Sequence, residues 1–326
     1  MPWLARMKQL ANPHHDLFDV LVVGGGPAGL TAAIWLGRYL RRVVVIDSGD
    51  PRNWETYGVN GFLGLPGIRP AELRARGRQE CRELGVQLVD AVADNGHRID
   101  DDHFVVSTED GREFHGKRLL LAIGIRDIWP QIPGLDHIYG ASAHVCPDCD
   151  GYQAQGRKVV VVGSGRKAVG LALNLTTWTN DLIICTNGEP PDLDRSEYCD
   201  KLDALNIPVL TERISRIDHH GSTIYSIEFE DGMCLDADKL FFAIGQQPAD
   251  AFCTGLCSLF PFERDEEGSI VTDRHGHTSV LNVFAAGDIT PGPQLAIKAA
   301  AEGAVAALSI HKSLVPESRK LTKLTT

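Results

Sequence analysis

The stretch Asp19-Val-Leu-Val-Val-Gly-Gly-Gly-Pro-Ala-Gly29 is an apolar run that ends in a glycine-rich turn, and residues with helical spacing follow it. A second apolar run, Val43 to Ile46, ends at Asp47. Glycines at such a turn leave backbone N–H groups bare for a pyrophosphate, and an acid after the second strand accepts from ribose hydroxyls. The order therefore predicts a βαβ unit that binds a dinucleotide. The residues predicted to contact it are Gly24, Gly26, Pro27, Ala28, Gly29 and Asp47.

A second stretch has the same form: Lys158-Val-Val-Val-Val-Gly-Ser-Gly-Arg-Lys-Ala168, with alanine in place of the third glycine, which the motif tolerates. The next strand, Leu182 to Cys185, ends at Thr186-Asn-Gly188, with no acid for a ribose and no arginine pair for a 2′-phosphate. The pattern predicts a second nucleotide site but makes NADPH doubtful there. Its candidate residues are Gly163, Gly165, Arg166 and Lys167, of which the last two have a plain alternative as solvated side chains at a helix start.

Breaks in the strand and helix pattern indicate where the chain passes between domains. Gly124 is followed closely by Pro130 and Pro133. The stretch Ala243-Ile-Gly-Gln-Gln-Pro248 begins with the same Ala-Ile-Gly sequence as Ala122-Ile-Gly124. We predict an α/β fold with two Rossmann-like dinucleotide-binding domains, the second inserted in the first. The first domain is predicted to consist of residues 1–126 and 248–326, and the central domain of residues 127–247.

The composition is that of a globular protein with an acidic balance. The 326 residues carry a formal net charge of −11, which argues against a nucleic-acid or anionic-membrane surface. The first sixteen residues contain no apolar block long enough for a signal peptide, and no later run reaches the ~18 apolar residues of a membrane span. Cysteines scattered singly are not a secreted disulfide framework, so we expect a cytoplasmic protein.

Two cysteines stand apart from the scattered ones. Cys146 and Cys149 are separated by two residues, Asp150 follows at once, and the second glycine turn lies just beyond. A dithiol beside a dinucleotide site indicates flavin-coupled disulfide chemistry. Asp150 can serve as a helix cap, as a proton relay or as both.

The alternative for this pair is a structural zinc half-site completed by His144 and by Cys253 with Cys257. That second cysteine pair has three intervening residues and lies in the other predicted domain, so no metal is predicted. The role of Cys253 and Cys257 stays open between buried thiols and a second redox pair.

Together these motifs resemble the low-molecular-weight thioredoxin reductases and their relatives among the flavin disulfide reductases. The resemblance spans nearly the whole chain and rests on Gly24 to Gly29, on Cys146 to Gly151, and on Phe284-Ala-Ala-Gly-Asp288 ahead of a last helix. It implies a discontinuous FAD domain, an inserted domain that carries the dithiol, and a homodimer. It also implies that the electron acceptor is a thioredoxin-like protein or a small disulfide.

The resemblance further implies roles for single residues. In the flavin site, Asp47 would hold the FAD ribose and Asp288 the ribityl chain, and Gly287 beside it would also contact the cofactor. In the dithiol site, Cys149 would face the flavin, Cys146 would attack the acceptor, and Asp150 would relay protons.

The sequence departs from the family pattern where electrons would enter. The family's His-Arg-Arg motif is replaced by Thr186-Asn-Gly188, and the Arg-Gln pair that opens the last helix appears as Gln294-Leu295, which leaves Gln294 as a candidate flavin contact. Relatives without the basic motif include reductases driven by ferredoxin, proteins with a second flavin in the nicotinamide pocket, and oxidases of small dithiols. The donor therefore stays open between NADPH and a ferredoxin-type protein, and a second FAD is an alternative occupant of the central domain. A flavin redox sensor with little turnover and a dithiol oxidase that uses oxygen are the alternative functions.

Overall fold

The computed structural model describes residues 17–54, 56–193, 196–249 and 260–320. The chain forms two compact units, the first within Met1–Arg52, Ala71–Arg126 and Gln247–Thr326, and the second within Asn53–Pro70 and Asp127–Gln246. In the described part of the chain, no helix is both long and apolar enough to cross a membrane.

The described residues contain both parallel and antiparallel strands. In chain order they are β1 (Leu17–Val23), β2 (Val43–Asp47), β3 (Gln87–Asp90), β4 (Ala93–Asp100), β5 (His103–Thr108), β6 (Glu113–Leu121), β7 (Ile125–Ile128), β8 (Ala143–His144), β9 (Val159–Val162), β10 (Leu182–Cys185), β11 (Val209–Leu210), β12 (Ile214–His220), β13 (Thr223–Phe229), β14 (Cys234–Asp236), β15 (Lys239–Phe242), β16 (Gly245–Pro248) and β17 (Val283–Ala285).

The helices alternate with the parallel strands. They are α1 (Pro27–Arg38), α2 (Pro70–Glu83), α3 (Leu135–Ile138), α4 (Pro147–Asp150), α5 (Gly165–Leu175), α6 (Ser196–Ala204) and α7 (Ala296–Ser313), with 3₁₀ turns at Gly151–Ala154 and Glu317–Arg319.

The first unit is built on a sheet in the order β3-β2-β1-β6-β5-β4, with β17 also paired to β6. Strands β3, β2, β1, β6 and β17 run parallel to one another. Side chains alternate between the two faces of a strand. In β1, Val20 and Val22 pack among one buried cluster, and Leu21 and Val23 pack among another. Both faces of the strand are therefore covered, which explains why β1 is apolar without interruption.

The remaining strands of this sheet, β4 and β5, are antiparallel to their neighbours. The sequence pattern does not indicate a strand at β4. Most residues of β4 are exposed, and its sequence Ala-Asp-Asn-Gly-His-Arg-Ile-Asp shows no apolar alternation. Its position at the edge of the sheet removes the need for two buried faces.

The second unit contains a fully parallel sheet in the order β11-β10-β9-β15-β8. Val159 and Val161 of β9 pack with α5, and Val160 and Val162 pack on the opposite face with the antiparallel sheet β12-β13-β14. Each Rossmann-like turn thus emerges from a strand buried on both faces. The predicted α/β fold with two units of this kind is confirmed.

The segment Asn53–Pro70 groups with the second unit, whereas the sequence analysis placed it in the first. Its contacts explain this difference. The Tyr57 hydroxyl lies 2.7 Å from Ser222 Oγ, and the Asn60 amide donates to the Cys149 carbonyl at 2.9 Å. The segment carries no apolar periodicity, so its partners could not be read from sequence. Where the chain passes between the units, β7 and β16 form a two-stranded sheet.

Candidate active site

The first glycine-rich turn lies between β1 and α1. Gly24 has a φ of +104° and donates its N–H to the Ile46 carbonyl at 2.8 Å, so the turn is tied to the end of β2. Helix α1 begins at Pro27 with no side chain capping its N-terminus, and a Cβ placed on Gly26 would meet open space. Bare helix-start N–H groups beside open space form the kind of cradle that a pyrophosphate occupies.

Asp47 lies beneath this turn and is nearly fully buried. Its carboxylate accepts from the guanidinium groups of Arg74 and Arg78 and from the Gly49 N–H. Arg78 also reaches Asp90 at 2.6 Å. The sequence analysis identified Asp47 but missed both arginines, which lie one turn apart on α2. The acid is therefore held by two cations and one backbone N–H group.

Gly287 and Asp288 follow β17 and lie against the start of α1. A Cβ on Gly287 would stand 2.9 Å from the Ala28 Cβ, so only glycine allows this approach. The Gly287 N–H donates to Glu302 Oε2 at 2.9 Å, and the Thr290 hydroxyl donates to the same oxygen at 3.1 Å. The structure thus brings together two predicted parts of the flavin site, and Glu302 is a residue that the sequence analysis missed.

Arg52 connects the other predicted residues of this site. Its guanidinium donates to Gln294 Oε1 at 2.7 Å and stands 3.5 Å from Asp288 Oδ2. Burial raises the pKa of the Asp288 carboxyl above its ordinary value, and the charges of Arg52 and Lys298 oppose this shift. No motif in the sequence indicated Arg52, because its partners lie more than 230 residues away.

Asp288→Asn should raise the melting temperature of the FAD-free protein at pH 7. The folded-state pKa of Asp288 is raised, so its contribution to stability is present below the unfolded pKa of about 3.9 and is lost as the pH rises through the folded pKa. The amide removes the cost of a buried charge at neutral pH. Between pH 8 and pH 3.5, the difference in melting temperature between Asp288→Asn and the wild type should therefore become smaller as the pH falls. A variant that melts below the wild type at pH 7 would contradict this reasoning.

The predicted dithiol is a disulfide in the structure. Cys146 and Cys149 are bonded with their Cα atoms 5.3 Å apart, and both are partly buried. Cys146 is the residue before the one-turn helix α4, and its Sγ accepts from the Cys149 N–H at 3.1 Å. A backbone donor aimed at Cys146 Sγ would stabilise negative charge on that sulfur after the disulfide opens.

Asp150, the last residue of α4, is buried with its carboxylate between two side chains. Oδ2 lies 3.4 Å from His144 Nδ1, and Oδ1 lies 3.5 Å from Asn60 Nδ2. The His144 side chain is buried at 1% exposure beside the Phe241 ring, and its Nε2 has no hydrogen-bond partner among the described residues. The sequence analysis considered His144 only as a zinc ligand and did not identify Asn60.

Lys239, on β15, adds a positive charge near this carboxylate. Burial lowers the pKa of its ammonium group, and the charge of Asp150 partly offsets that effect. The Lys239 ammonium donates to the Ala141 carbonyl at 2.6 Å, just ahead of β8. The polar groups around the acid of the dithiol site differ in burial: His144 is buried, Lys239 is partly buried and Asn60 is exposed.

The remaining cysteines of the described residues are not paired. Burial raises the pKa of Cys81 to about 11 and that of Cys185 to about 12, which leaves both as inert thiols at neutral pH. Cys199 and Cys234 are exposed. Cys253 and Cys257, proposed as zinc ligands or a second redox pair, lie outside the described residues. Within the ranges that the structure describes, no three His, Cys, Asp or Glu side chains are grouped as they would be around a metal ion.

The second glycine-rich turn lies between β9 and α5. Gly163 has a φ of +147°, and a Cβ there would stand 2.8 Å from the Ala243 Cβ, so the close approach requires glycine. Arg166 and Lys167 are exposed on the first turn of α5. The Gly165 N–H donates to the Pro191 carbonyl at 3.0 Å. One of the predicted phosphate donors is thus already used within the protein.

The glycine-rich turn, the acid after the second strand and the Cys146–Cys149 disulfide are the features on which the resemblance to the flavin disulfide reductases rests. Residues 18–303 match the family model described as pyridine nucleotide-disulphide oxidoreductase. The chain is 32% identical over 290 residues to the thioredoxin reductase tcpT of Claviceps purpurea, which covers 84% of this chain and 87% of that protein.

Solved structures give the same result. A putative thioredoxin reductase TrxB from Bacillus anthracis is 28% identical with a TM-score of 0.83, covering 91% of this chain and 98% of that one. HlmI is 31% identical with a TM-score of 0.85, covering 91% and 92%. The chain belongs to the pyridine nucleotide-disulphide oxidoreductase family. The predicted enzyme class, a flavoprotein of the thioredoxin reductase-like kind, is confirmed.

Proposed function

We propose that this enzyme passes electron pairs through FAD to the Cys146–Cys149 disulfide, and from that pair to a thioredoxin-like protein or a small disulfide. One observation carries the proposal: a formed disulfide is followed directly by a buried carboxylate that Asn60 and His144 hold in place. A structural disulfide would not need a buried acid beside it, because an uncompensated carboxylate costs free energy away from water.

The residues of the first unit fit FAD. The start of α1 offers open space at Gly26 for the pyrophosphate, Asp47 lies beneath that turn, and Asp288 is partly exposed beside Arg52. Bound there, FAD would supply the electron pair that opens the disulfide. The protein would position the cofactor through backbone N–H groups and these two acids.

Exchange with the acceptor follows ordinary thiol-disulfide chemistry. The Cys146 thiolate attacks one sulfur of the acceptor disulfide, so a Cys146–acceptor bond forms and the other acceptor sulfur leaves as a thiolate. The Cys149 thiolate then attacks Cys146 Sγ, which re-forms the disulfide and releases the second acceptor thiolate. Two electrons leave the protein in all, and the two released thiolates take up two protons.

Asp150 is suited to exchange those protons. It directly follows Cys149, it is buried, and both of its oxygens already have a polar neighbour. A carboxyl fixed in one orientation transfers a proton along a defined path, which is a requirement for general acid-base catalysis. His144 and Asn60 would act through Asp150 as positioning residues.

The proposal predicts that chemically reduced, FAD-loaded protein is reoxidised by oxidised thioredoxin without oxygen. Flavin absorbance should return in proportion to the thioredoxin thiols that appear. Cys146→Ser protein, reduced in the same way, should keep its flavin reduced because it lacks the attacking sulfur. No reoxidation of the wild-type flavin by thioredoxin or by any small disulfide would disprove this direction of electron flow.

A second candidate is the oxidation of small dithiols by oxygen. The use of the Gly165 N–H by the Pro191 carbonyl favours it, because electrons could then enter at the disulfide itself. In this case a reduced dithiol should bleach the flavin anaerobically, and air should restore the absorbance with release of peroxide. A flavin that no dithiol bleaches would exclude this function.

A ferredoxin-type donor would serve the reductase, and its test is flavin bleaching by reduced ferredoxin under conditions where NADPH and NADH have no effect. The homodimer and the cytoplasmic location are proposed on the resemblance and on the acidic, cysteine-scattered composition.

A further inference from the structure

The second glycine-rich turn is covered by the segment that follows β10. The Pro191 carbonyl accepts the Gly165 N–H at 3.0 Å. A Cβ placed on Gly165 would stand 3.1 Å from Asp192 Oδ2. A neutral acceptor and a carboxylate therefore lie where a dinucleotide needs bare N–H groups and a positive field.

The first turn of the same chain provides an internal comparison. Gly26 and Gly165 occupy the same place in the Gly-x-Gly motif. Gly26 has a φ of −81° and faces open space, whereas Gly165 has a φ of +60° and faces Asp192. The two turns thus share a sequence pattern but differ in conformation and in what lies over them.

The covering segment is held by its own hydrogen bonds. The Thr186 hydroxyl donates to the Glu189 carbonyl at 2.6 Å, and Asn187 Oδ1 accepts the Ile214 N–H at 2.9 Å. The Gly188 N–H donates to the Thr211 carbonyl at 3.1 Å. Asn187 and Gly188 are two of the residues that replace the family's basic motif. The residues that replace the basic motif therefore form a turn, and the residues that follow this turn, Pro191 and Asp192, lie against Gly165.

We propose that the Pro191 carbonyl and the Asp192 carboxylate exclude dinucleotides from the second glycine-rich turn, and that Asp192 determines this specificity. The pyridine nucleotide that the family's name implies does not fit these residues, and neither does a second FAD, since both would place a pyrophosphate on the Gly165 N–H. Repulsion from Asp192 acts on any such diphosphate. This exclusion rests on the proposed function and makes it more specific, because electrons would then enter the enzyme at a place other than this turn.

Two substitutions at Asp192 separate charge from volume. Asp192 has a φ of +49°, a conformation that asparagine and glycine adopt readily, so neither Asp192→Asn nor Asp192→Gly should disturb the backbone. Asp203→Asn, at an exposed position of α6 in the same unit, is the matched control for the loss of one negative charge. Titration of the oxidised, FAD-loaded proteins with NADPH and with NADH, followed calorimetrically, measures binding without any turnover.

We expect no saturable binding of either nucleotide to the wild type or to Asp203→Asn at nucleotide concentrations up to about 1 mM. A dissociation constant of that size corresponds to a binding free energy of about −4 kcal/mol. Asp192→Asn should bind NADPH measurably, and Asp192→Gly should bind it at least tenfold more tightly than the wild type. The wild type should release one FAD per chain on denaturation.

Three results would overturn the proposal. They are micromolar binding of a nucleotide by the wild type, no gain in either Asp192 variant, and release of two flavins per chain. None of these measurements depends on the acceptor. Failure of the thioredoxin experiment would therefore disprove the reductase function and leave this inference standing, and the reverse also holds.

Discussion

Cys149→Ser and Cys146→Ser should each reduce electron transfer from the flavin to an acceptor disulfide by at least ~10³-fold, a loss on the order of those seen when a covalent nucleophile is removed. Neither variant can form the disulfide that receives the flavin's electron pair. FAD should stay bound to both, since the residues that fit it lie in the first unit. Transient absorbance of the flavin and thiol release from the acceptor measure the two halves of the reaction.

The two variants should differ in what they trap. Cys149→Ser keeps Cys146, the sulfur that accepts the Cys149 backbone N–H, and should accumulate a mixed disulfide with the oxidised acceptor because no thiol resolves it. Cys146→Ser should trap none. Cys199→Ser, which removes an exposed free thiol of the same unit, is the control and should behave as wild type. Near-normal disulfide reduction by Cys146→Ser would show that the roles of the two sulfurs are wrong.

Asp47→Ala should lower the free energy of unfolding of the first unit by about 3–5 kcal/mol, the range for removing one partner of a buried ion pair. The substitution leaves Arg74 and Arg78, whose side chains are 18% and 10% exposed, without their shared carboxylate. Arg78 retains Asp90, so the loss should lie toward the lower end. The midpoint of urea unfolding of the FAD-free protein measures it.

Asp90 supplies the matched control for this prediction. Asp90→Asn removes a carboxylate from the same guanidinium group, but the Asp90 side chain is 76% exposed. Water replaces such a partner, so this variant should lose no more than about 1 kcal/mol. Similar losses in the two variants would mean that burial of Asp47 does not determine the effect. The FAD affinity of Asp47→Ala should fall as well, because the same acid lies beneath the turn that receives the cofactor.

The parallel parts of the fold could be predicted from the sequence because each depends on local pattern. Strands such as β1 and β9 are apolar on both faces, and the glycine turns after them have fixed spacing. The edge strand β4 could not be predicted, because an exposed strand needs no apolar alternation. The grouping of Asn53–Pro70 with the second unit could not be predicted, because it depends on hydrogen bonds to residues that are distant in sequence, such as Ser222.

The candidate site was predictable to the same extent. Gly24, Asp47, Cys146 and Cys149 belong to motifs whose spacing is itself the chemical requirement. Their supporting residues carry no such spacing, since Arg74, Arg52 and His144 meet their acids only after the sheets and helices have assembled. Arginine at two positions one turn apart on α2 was the only local signal, and an exposed helix face would show the same pattern.

The close approach of α7 to α1 has a consequence for how the protein is made. A Cβ on Gly303 would overlap the Ala28 carbonyl, so backbone packs directly on backbone at this point. β17, which also comes late in the chain, completes the sheet beside β6. Domains fold as units, and the ribosome adds about 5–20 residues per second. The second unit can therefore fold while the first, although begun earlier, still awaits α7. A chain truncated after residue 246 and released from the ribosome should resist protease in its second unit and be cleaved in its first.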